Sequence, residues 1–302
     1  MADSLLQKND NMQKEKITIQ YQDLISSVPV TITEKEQQMV NGYLRNVKLL
    51  KLVTISTLVL FLFTVQFQIP GHMLLLLLGM ASVFLYFRYR SNSSTLFRNV
   101  LFEQCDTEKA LSLFMALYAH TNTKKASVWT INFYNISRIL SHWGRFEELP
   151  HIQALLKTYC DTPEGEAYQY AIGADLALHN HDHEALKQCC QELTRLGESS
   201  QVLKSCGWTL KQRIAYPKLL QLYEEGNYTE LYDLIAKSVS PNSSLCSEVI
   251  KQYALYRIAE RTGETEKAEE HRAFVLENGG TTRYRTELME EGKNENDCEL
   301  LS

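Results

Sequence analysis

The distribution of hydrophobic residues divides the chain into two parts. From Leu52 to Phe87 there is no Asp, Glu, Lys or Arg, and most of these 36 residues are Leu, Val, Ile, Phe or Met. Pro70 and Gly71 lie near the middle of this stretch and interrupt helical continuity. A single helix of this length would extend about 54 Å, whereas a bilayer core is roughly 30 Å thick. The pattern therefore predicts two short membrane helices joined by a tight turn.

The predicted spans are residues 50–67 and 72–88, and residues 50–88 are expected to contact the lipid bilayer. The apolar sequence has no polar face, which argues against a buried hairpin of a soluble protein. Basic residues lie on both outer flanks and none lies in the turn: Lys35, Arg45, Lys48, Lys51, Arg88, Arg90 and Arg98. Because basic flanks stay in the cytoplasm, we expect both termini and the rest of the chain to be cytoplasmic. A re-entrant hairpin is an alternative with the same arrangement.

The regions on either side of the hairpin complete the predicted organisation. Residues 1–33 form a polar N-terminal segment, and residues 34–90 hold a juxtamembrane helix followed by the hairpin. Thr33 and Glu36 have the spacing of a capping box, so the juxtamembrane helix is expected to begin directly after Thr33. Residues 282–302 are acidic and contain few large apolar side chains, which predicts a disordered tail.

A six-residue pattern, here called the hexad, recurs after the hairpin. It reads GRFEEL at 144–149, GNYTEL at 226–231 and GETEKA at 263–268, with looser copies NHDHEA at 180–185 and CDTEKA at 105–110. The final residues of the copies are 39, 36, 46 and 37 positions apart, and the 46-residue interval indicates an insertion within 195–207. Intervals of this size are typical of stacked helical hairpins.

The composition of the hexad suggests how each hairpin closes. The first residue is one that tolerates a left-handed backbone, which a helix needs where it ends and reverses: Gly144, Gly226, Gly263 and, in the looser copy, Asn180. The final residue is small or medium and apolar, which allows the second helix to pack closely on the first: Ala110, Leu149, Ala185, Leu231 and Ala268.

These hexads resemble the turns of tetratricopeptide repeats over about residues 91–281. The small residue that the family has twelve positions before the final hexad residue is present as Ser137 and Gly173 but replaced by Leu219 and Tyr256. The resemblance is therefore to a divergent helical-repeat solenoid, and another α-solenoid is the alternative. The fold class expected is all-α, with a transmembrane helical hairpin followed by a tetratricopeptide-like solenoid.

The resemblance also implies a binding groove. Four tyrosines stand fifteen residues before the final hexad residues, and two arginines follow four positions later: Tyr134, Tyr170, Tyr216, Tyr253, Arg138 and Arg257. In the family this position faces the concave groove that holds peptides. A tyrosine there offers flat apolar contact and a hydroxyl, and an arginine can bind a carboxylate. Packing between neighbouring helices is the alternative role of the tyrosines.

The remaining chemistry is sparse. LHNHDHEALKQCC at 178–190 carries His179, His181 and His183, and imidazole is a good zinc or copper ligand. These histidines span a helix end and its turn, where alternate side chains diverge, so they are a weak metal candidate. Seven cysteines without a CxxC pair indicate reduced thiols. No GxSxG, Walker A, GxGxxG or kinase motif occurs, so no catalytic residue, cofactor or small-molecule substrate is predicted.

The net charge of −5 and the lack of a long basic run argue against nucleic acid as a partner. The expected function is that of a non-enzymatic scaffold or adaptor that holds a partner protein or peptide at the membrane. A regulatory subunit of a membrane complex, held by the hairpin, is one alternative. An enzyme that uses the histidine-rich turn is a weaker one.

Overall fold

The computed structural model describes residues 31–68, 72–91, 93–119, 126–239 and 243–299. Within these ranges the chain consists of helices joined by turns, with no strand. The predicted all-α class is therefore confirmed for this part of the chain. Most of the expected N-terminal segment, up to residue 30, lies outside the described residues.

The chain divides into two compact units. The N-terminal unit contains Thr31–Val100 and Lys109–Thr121, and the C-terminal unit contains Leu101–Glu108 and Asn122–Ser302. The first helices of the described chain are α1 (Glu34–Gln66), α2 (His72–Ser91), α3 (Ser93–Glu103) and α4 (Thr107–Ala119). The boundary between the units crosses α3 and α4.

Helix α1 begins with the predicted capping box. The Glu36 backbone N–H donates to Thr33 Oγ1 at 3.3 Å, and the Thr33 N–H donates to Glu36 Oε2 at 2.9 Å. The helix has 33 residues, and its most apolar window is only 6% buried, so protein does not cover it. Among the described residues, α1 is the one helix long and apolar enough to cross a membrane.

Helix α2 packs against α1 through small residues. Gly79 and Ser82 are buried, and a Cβ on Gly79 would lie 3.7 Å from side-chain atoms of Thr57 and Leu58. The apolar part of α2, Met73–Arg88, is shorter than α1. Elsewhere many large apolar side chains of both helices are exposed, for example Leu52, Leu62, Leu74 and Phe84 at 63% to 65%. Both helices therefore direct most of their apolar surface away from protein.

The described part of the C-terminal unit continues through ten helices. They are α5 (Ala126–Trp143), α6 (Leu149–Tyr159), α7 (Pro163–His179), α8 (His183–Leu196), α9 (Ser200–Ile214), α10 (Tyr216–Glu224), α11 (Tyr228–Ser238), α12 (Leu245–Thr262), α13 (Thr265–Asn278) and α14 (Arg283–Glu299). Successive helices contact each other as pairs: α5 with α6, α7 with α8, α10 with α11, and α12 with α13. Helix α7 also contacts α5 and α9, so neighbouring pairs are packed together.

Three of the hexad turns form as predicted. Gly144, Gly226 and Gly263 have φ angles of 89°, 70° and 73°, in the left-handed region that glycine adopts without steric penalty. The residue after each glycine donates its N–H to the carbonyl five residues earlier at 2.9 Å. This bond satisfies a carbonyl that would otherwise be unpaired at the helix end, as in a Schellman motif.

The turn of the looser hexad at 180–185 is shifted by one residue from its predicted position. Asn180 has a φ of −83°, and His181 takes the left-handed conformation with a φ of 56°. The Asp182 N–H accordingly reaches the Ala177 carbonyl at 2.8 Å. The buried residue that matches Leu149 and Leu231 is therefore Leu186, at 1% exposure, and not Ala185.

The insertion expected within 195–207 corresponds largely to the additional helix α9. Helices α9 and α10 follow one another with a break at Ala215, just before Pro217. Proline lacks an N–H, so the carbonyl four residues earlier, on Arg213, cannot form its usual helical bond. The Cys190 thiol donates to that carbonyl at 3.2 Å instead.

The predicted disorder of residues 282–302 is wrong for most of that segment. Arg283–Glu299 forms helix α14, which contacts α5, α12 and α13. Tyr284 is 7% exposed and Leu288 is fully buried, and both belong to a core cluster with residues of α12 and α13. These two apolar residues lie four positions apart on one helical face, so the low apolar content of the segment is still enough to hold the helix in place.

The first residues of the C-terminal unit bind to its last turn. Thr281 donates its N–H to the Cys105 carbonyl at 3.0 Å. Thr107 donates its N–H to Thr281 Oγ1 at 2.8 Å and its hydroxyl to the Thr281 carbonyl at 3.0 Å. We call this contact the closing contact; it joins residues that are 174 positions apart in sequence.

Candidate functional site

Tyr134, the first of the candidate tyrosines, packs between neighbouring helices. Tyr134 of α5 is 5% exposed, its hydroxyl lies 3.0 Å from Thr209 Oγ1, and its ring stacks on Tyr168 at 4.1 Å between centroids. These contacts join α5, α7 and α9. Tyr134 therefore lies inside the helix packing, as the alternative interpretation expected.

Tyr170 does not share the position of the other tyrosines. Because the turn after α7 is shifted by one residue, the position equivalent to Tyr134 is Ala171, which is fully buried. Tyr170 is half-buried, one residue around the helix. The apparent spacing of fifteen residues at this copy was a coincidence of the sequence pattern.

Tyr253 and Arg257 of α12 bind the acidic side of α14. Tyr253 donates its hydroxyl to Glu287, and the Arg257 guanidinium pairs with Glu291. The guanidinium also donates to the Tyr253 hydroxyl at 3.0 Å from Nε and 2.9 Å from Nη2. Burial raises the pKa of Tyr253, with Glu287 contributing in the same direction, so this hydroxyl stays protonated and remains a donor.

Four other candidates line a cavity of about 230 Å³: Arg138, Tyr216, His179 and His181. We call it the arginine cavity and define it by Arg138, His142, Asp175, Arg213, Tyr216 and Arg283. Arg138 lies with its guanidinium 4.8 Å from the centre of the Phe102 ring. Burial, together with the positive charge of Arg213, lowers the pKa of Arg138. Sequence reasoning found Arg138 and Tyr216 but not the other four residues.

A buried ion pair forms one wall of the arginine cavity. Arg213 donates from Nη2 to Asp175 Oδ2 at 2.8 Å and from Nε to Asp175 Oδ1 at 3.2 Å. Tyr216 donates its hydroxyl to Asp175 Oδ1 at 3.3 Å. Burial opposes the charge of Arg213, but the Asp175 carboxylate outweighs it and holds the Arg213 pKa well above its usual value. Arg213 is therefore charged at every physiological pH.

Several polar atoms around the same cavity are unsatisfied. Within the described residues, Ser141 Oγ, His142 Nδ1 and Arg283 Nε are buried and have no hydrogen-bond partner. Burial lowers the pKa of His142 to about 3, and the positive charges of Arg138, Arg213 and Arg283 add to this effect. His142 is thus neutral at pH 7, and the electrostatic potential at its ring is positive.

In the histidine-rich turn, His179 and His181 line the arginine cavity, whereas His183 does not. His179 stacks on Phe146 with ring centroids 3.8 Å apart, and His183 Nδ1 lies 2.8 Å from Glu224 Oε1. His181 occupies the left-handed turn position between them. In the described parts of the chain, no group of three or more His, Cys, Asp or Glu side chains is arranged to hold a metal ion.

Comparison with known proteins adds no identity. No protein-family model matches the chain, and no curated protein or solved structure does either. The proposed function therefore rests on the contacts of the described residues.

The residues that sequence reasoning missed had a local signature. Asp175 interrupts the apolar run AIGADLAL, and Arg213 precedes IAYP in a segment that packs as a helix. A charged residue among apolar neighbours is seldom buried unless it is paired. The sequence therefore marked Asp175 as unusual, although it did not show which arginine would pair with it.

Proposed function

We propose that this chain is a membrane-anchored scaffold that binds a partner protein or peptide through tetratricopeptide-like repeats in the cytoplasm. The observation that carries the proposal is the contact between α12 and α14. There, Tyr253 and Arg257 hold two carboxylates that stand four residues apart on a helix. A surface with this arrangement binds acidic helices, and α14 occupies it within the chain.

The turns support the solenoid part of the proposal. Left-handed residues end the first helix of four successive pairs, at Gly144, His181, Gly226 and Gly263. A buried apolar residue follows five positions after each, which lets the second helix pack on the first. Units that each bury one face on the next are the basis of helical-repeat proteins, whose extended surfaces hold peptides and proteins.

The N-terminal helices support the membrane anchor. The apolar part of α2, Met73–Arg88, has 16 residues, which is roughly 24 Å of helix, and a bilayer accommodates a span a few ångströms short of its core by thinning locally. The hydroxyls of Thr54, Thr57 and Ser82 donate within their own helices, to the carbonyls of Leu50, Val53 and Gly79 at 2.8 to 2.9 Å. Hydrocarbon offers no partners for hydroxyl groups, so internal bonds of this kind favour a lipid environment. We therefore propose two spans with both termini cytoplasmic.

The topology has a direct test in intact cells. Lys237 has a side chain that is 75% exposed, whereas five of the cysteines are buried: Cys105, Cys160, Cys190, Cys206 and Cys246. Lys237→Cys is made in a chain that also carries Cys189→Ser and Cys298→Ser. We expect an impermeant maleimide to label this cysteine only after permeabilisation. Labelling of intact cells would contradict the cytoplasmic placement.

The binding function is tested with the chain's own helix as the probe. A fluorescent peptide of residues 283–299, with Cys298 replaced by serine, is titrated into the full chain in detergent. We expect it to bind weakly, because α14 occupies the surface in cis. Glu287→Gln with Glu291→Gln in the chain weakens that occupation, so the peptide should bind about tenfold more tightly, since a hydrogen bond to a charged group contributes about 1.5–3 kcal/mol.

Arg257→Gln in the same double variant should remove the gain. Arg195→Gln is the control, because Arg195 pairs with Glu166 and Glu192 on an exposed surface away from α14. Equal peptide binding by the original chain and the double variant would contradict the scaffold proposal, as would a peptide whose binding ignores Arg257→Gln.

A second candidate function is that of a subunit in a membrane complex. The observation in its favour is the large apolar surface of α1 and α2 that protein leaves uncovered. Partner helices would cover this surface as well as lipid does. Gly79 and Ser82, which are suited to close helix packing, are already buried between α1 and α2, so this candidate ranks second.

A further inference from the structure

Unsatisfied polar atoms are concentrated at one place in the C-terminal unit. Buried side-chain nitrogens and oxygens nearly always have hydrogen-bond partners in folded proteins. In the described part of the chain four such atoms lack one, and three of them belong to residues that line the arginine cavity: Ser141, His142 and Arg283. Each of these atoms exposes almost no surface, so a ligand in the cavity would supply the missing partners once the side chains turn toward it.

The charges around the cavity indicate whether such a ligand is an anion or a cation. Three guanidinium groups line it, from Arg138, Arg213 and Arg283, against the single carboxylate of Asp175. Asp175 is engaged by Arg213 and Tyr216. Glu287 pairs with Nη1 of Arg283 at 3.3 Å but does not line the cavity, which leaves Arg283 Nε without a partner within the described residues. Positive charge therefore remains at the cavity wall.

From these observations we propose that the arginine cavity binds a small anion that carries a phosphate group. The proposal does not require the scaffold function, although the two sites share α14: no residue of α12 lines the cavity, whereas Arg283 at the start of α14 does. Guanidinium groups bind phosphate oxygens strongly because they donate charge-assisted hydrogen bonds with matching geometry.

The arrangement of donors favours phosphate over a carboxylate. The lining groups come from separate elements: Arg138, Ser141 and His142 from α5, Arg213 from α9, and Arg283 from the start of α14. A carboxylate presents two oxygens in one plane, whereas a phosphate presents oxygens in three or four directions. Arg213 is already bonded to Asp175 and Gln212, so the donors left for a ligand come from α5 and α14. Donors on two separate helices match the several oxygens of a phosphate better than the single plane of a carboxylate.

The size of the cavity limits the rest of the ligand. Sites for drug-sized molecules have volumes of about 300–1,000 Å³. The arginine cavity, at about 230 Å³, is smaller. Inorganic phosphate or a short phosphate monoester fits this range. The head group of a phospholipid carries the same chemistry, and the test below separates the two sources.

The neutral state of His142 gives it a defined role. With a pKa of about 3, its imidazole carries one proton at pH 7, so Nδ1 either donates to or accepts from the ligand. Because a bound anion offsets part of the positive charge that lowers this pKa, phosphate should move the pKa of His142 upward. Unfolding would also raise this pKa, so the shift is assigned to binding only when it saturates with phosphate concentration while the rest of the spectrum stays that of the folded chain.

The test uses the full chain in a neutral, phosphate-free detergent buffer. Inorganic phosphate, glycerol 3-phosphate, acetate and a short-chain phosphatidic acid are titrated by calorimetry, and the imidazole resonances are followed by NMR. We expect phosphate and glycerol 3-phosphate to bind and to shift the His142 resonances, and acetate to bind at least tenfold more weakly. Binding of the phosphatidic acid alone would identify a lipid head group as the source of the phosphate.

Two variants assign binding to the cavity. Ser141→Ala removes a hydroxyl that has no partner among the described residues, so the fold should be unaffected and binding should weaken about threefold to tenfold. Arg283→Gln removes a charged donor and should weaken binding by tenfold or more. Arg195→Gln, on the exposed surface, is the control and should leave binding unchanged.

The proposal fails if phosphate and the phosphate monoesters produce no heat and no shift of His142. It also fails if acetate binds as tightly as phosphate, or if binding survives both Ser141→Ala and Arg283→Gln. In that last case phosphate binds elsewhere on the chain.

Discussion

Replacing Gly280 by alanine should break the closing contact of the C-terminal unit. Gly280 has a φ of 53°, and a Cβ at this position would lie 2.4 Å from the Cys105 carbonyl oxygen and 2.8 Å from the carbonyl carbon. Both are backbone atoms, which cannot move aside as the end of a side chain can. Alanine therefore meets two separate penalties here, one from the left-handed backbone and one from the overlap.

Gly263→Ala is a matched control that isolates the overlap. Gly263 has a φ of 73°, but a Cβ there would have nothing within 4 Å. The left-handed conformation costs about 1–2 kcal/mol for either alanine. Forced overlap in a packed site adds about 1–3 kcal/mol for Gly280→Ala alone. A domain of 150–250 residues loses roughly 2–4 °C of Tm per kcal/mol, so the two variants should differ by about 2–12 °C.

The assay is thermal unfolding of both variants in the same detergent, with hydrogen exchange measured for the amides of α14. We expect Gly280→Ala to melt at the lower temperature and to exchange faster in α14, about tenfold for each 1.4 kcal/mol lost. Equal melting temperatures and equal exchange for the two variants would show that residue 280 does not approach the Cys105 backbone, and the closing contact would be refuted.

Three further predictions concern the buried groups of the C-terminal unit. Asp175→Asn leaves the charge of Arg213, which is 7% exposed, without a carboxylate and should destabilise the fold by about 3–5 kcal/mol in chemical denaturation; Glu166→Gln at an exposed pair should change it by less than about 1 kcal/mol. In phosphate-free buffer His142 should show no imidazole titration between pH 5 and 8. The unfolded chain binds this proton from about pH 6.5, whereas the folded chain binds it only near pH 3, so the free energy of unfolding should fall as the pH is lowered from 6.5 to 3. The slope should be at most about 1.4 kcal/mol per pH unit, and His142→Gln should remove this contribution. Leu288→Ala should cost about 2–5 kcal/mol and release α14 to proteolysis, since Leu288 is fully buried, whereas unchanged protease resistance would place α14 outside the core.

The hexad turns were predictable because their chemistry is local. Glycine is the residue that accepts a left-handed backbone most readily, so Gly144, Gly226 and Gly263 identify helix ends without knowledge of the rest of the fold. The copy at 180–185 offers Asn180 and His181, two residues that can both adopt that conformation. Packing of Leu186 decides between them, and packing is not readable from six residues.

The missed features depend on contacts between distant parts of the chain. Helix α14 has too few apolar residues to predict its own burial, and Tyr284 and Leu288 are buried because α12 and α13 complete the core around them. The arginine cavity also depends on distant residues: Asp175 and Arg213 are 38 residues apart in sequence and are brought together by the contact between α7 and α9. Sequence spacing predicts such partners only when the register of every turn between them is known.

The closing contact also limits how early during synthesis the C-terminal unit can complete its fold. Thr107 cannot meet Thr281 until the next 174 residues, which end at Thr281, have been synthesised, and this takes about 9 to 35 s at 5–20 residues per second. The hydrophobic helices α1 and α2 precede Thr107 in the sequence and are therefore synthesised before this interval begins. A nascent chain therefore carries these two hydrophobic helices for many seconds before the last turn of the C-terminal unit exists. A product truncated before residue 280 would keep both helices but lack α14 and one wall of the arginine cavity.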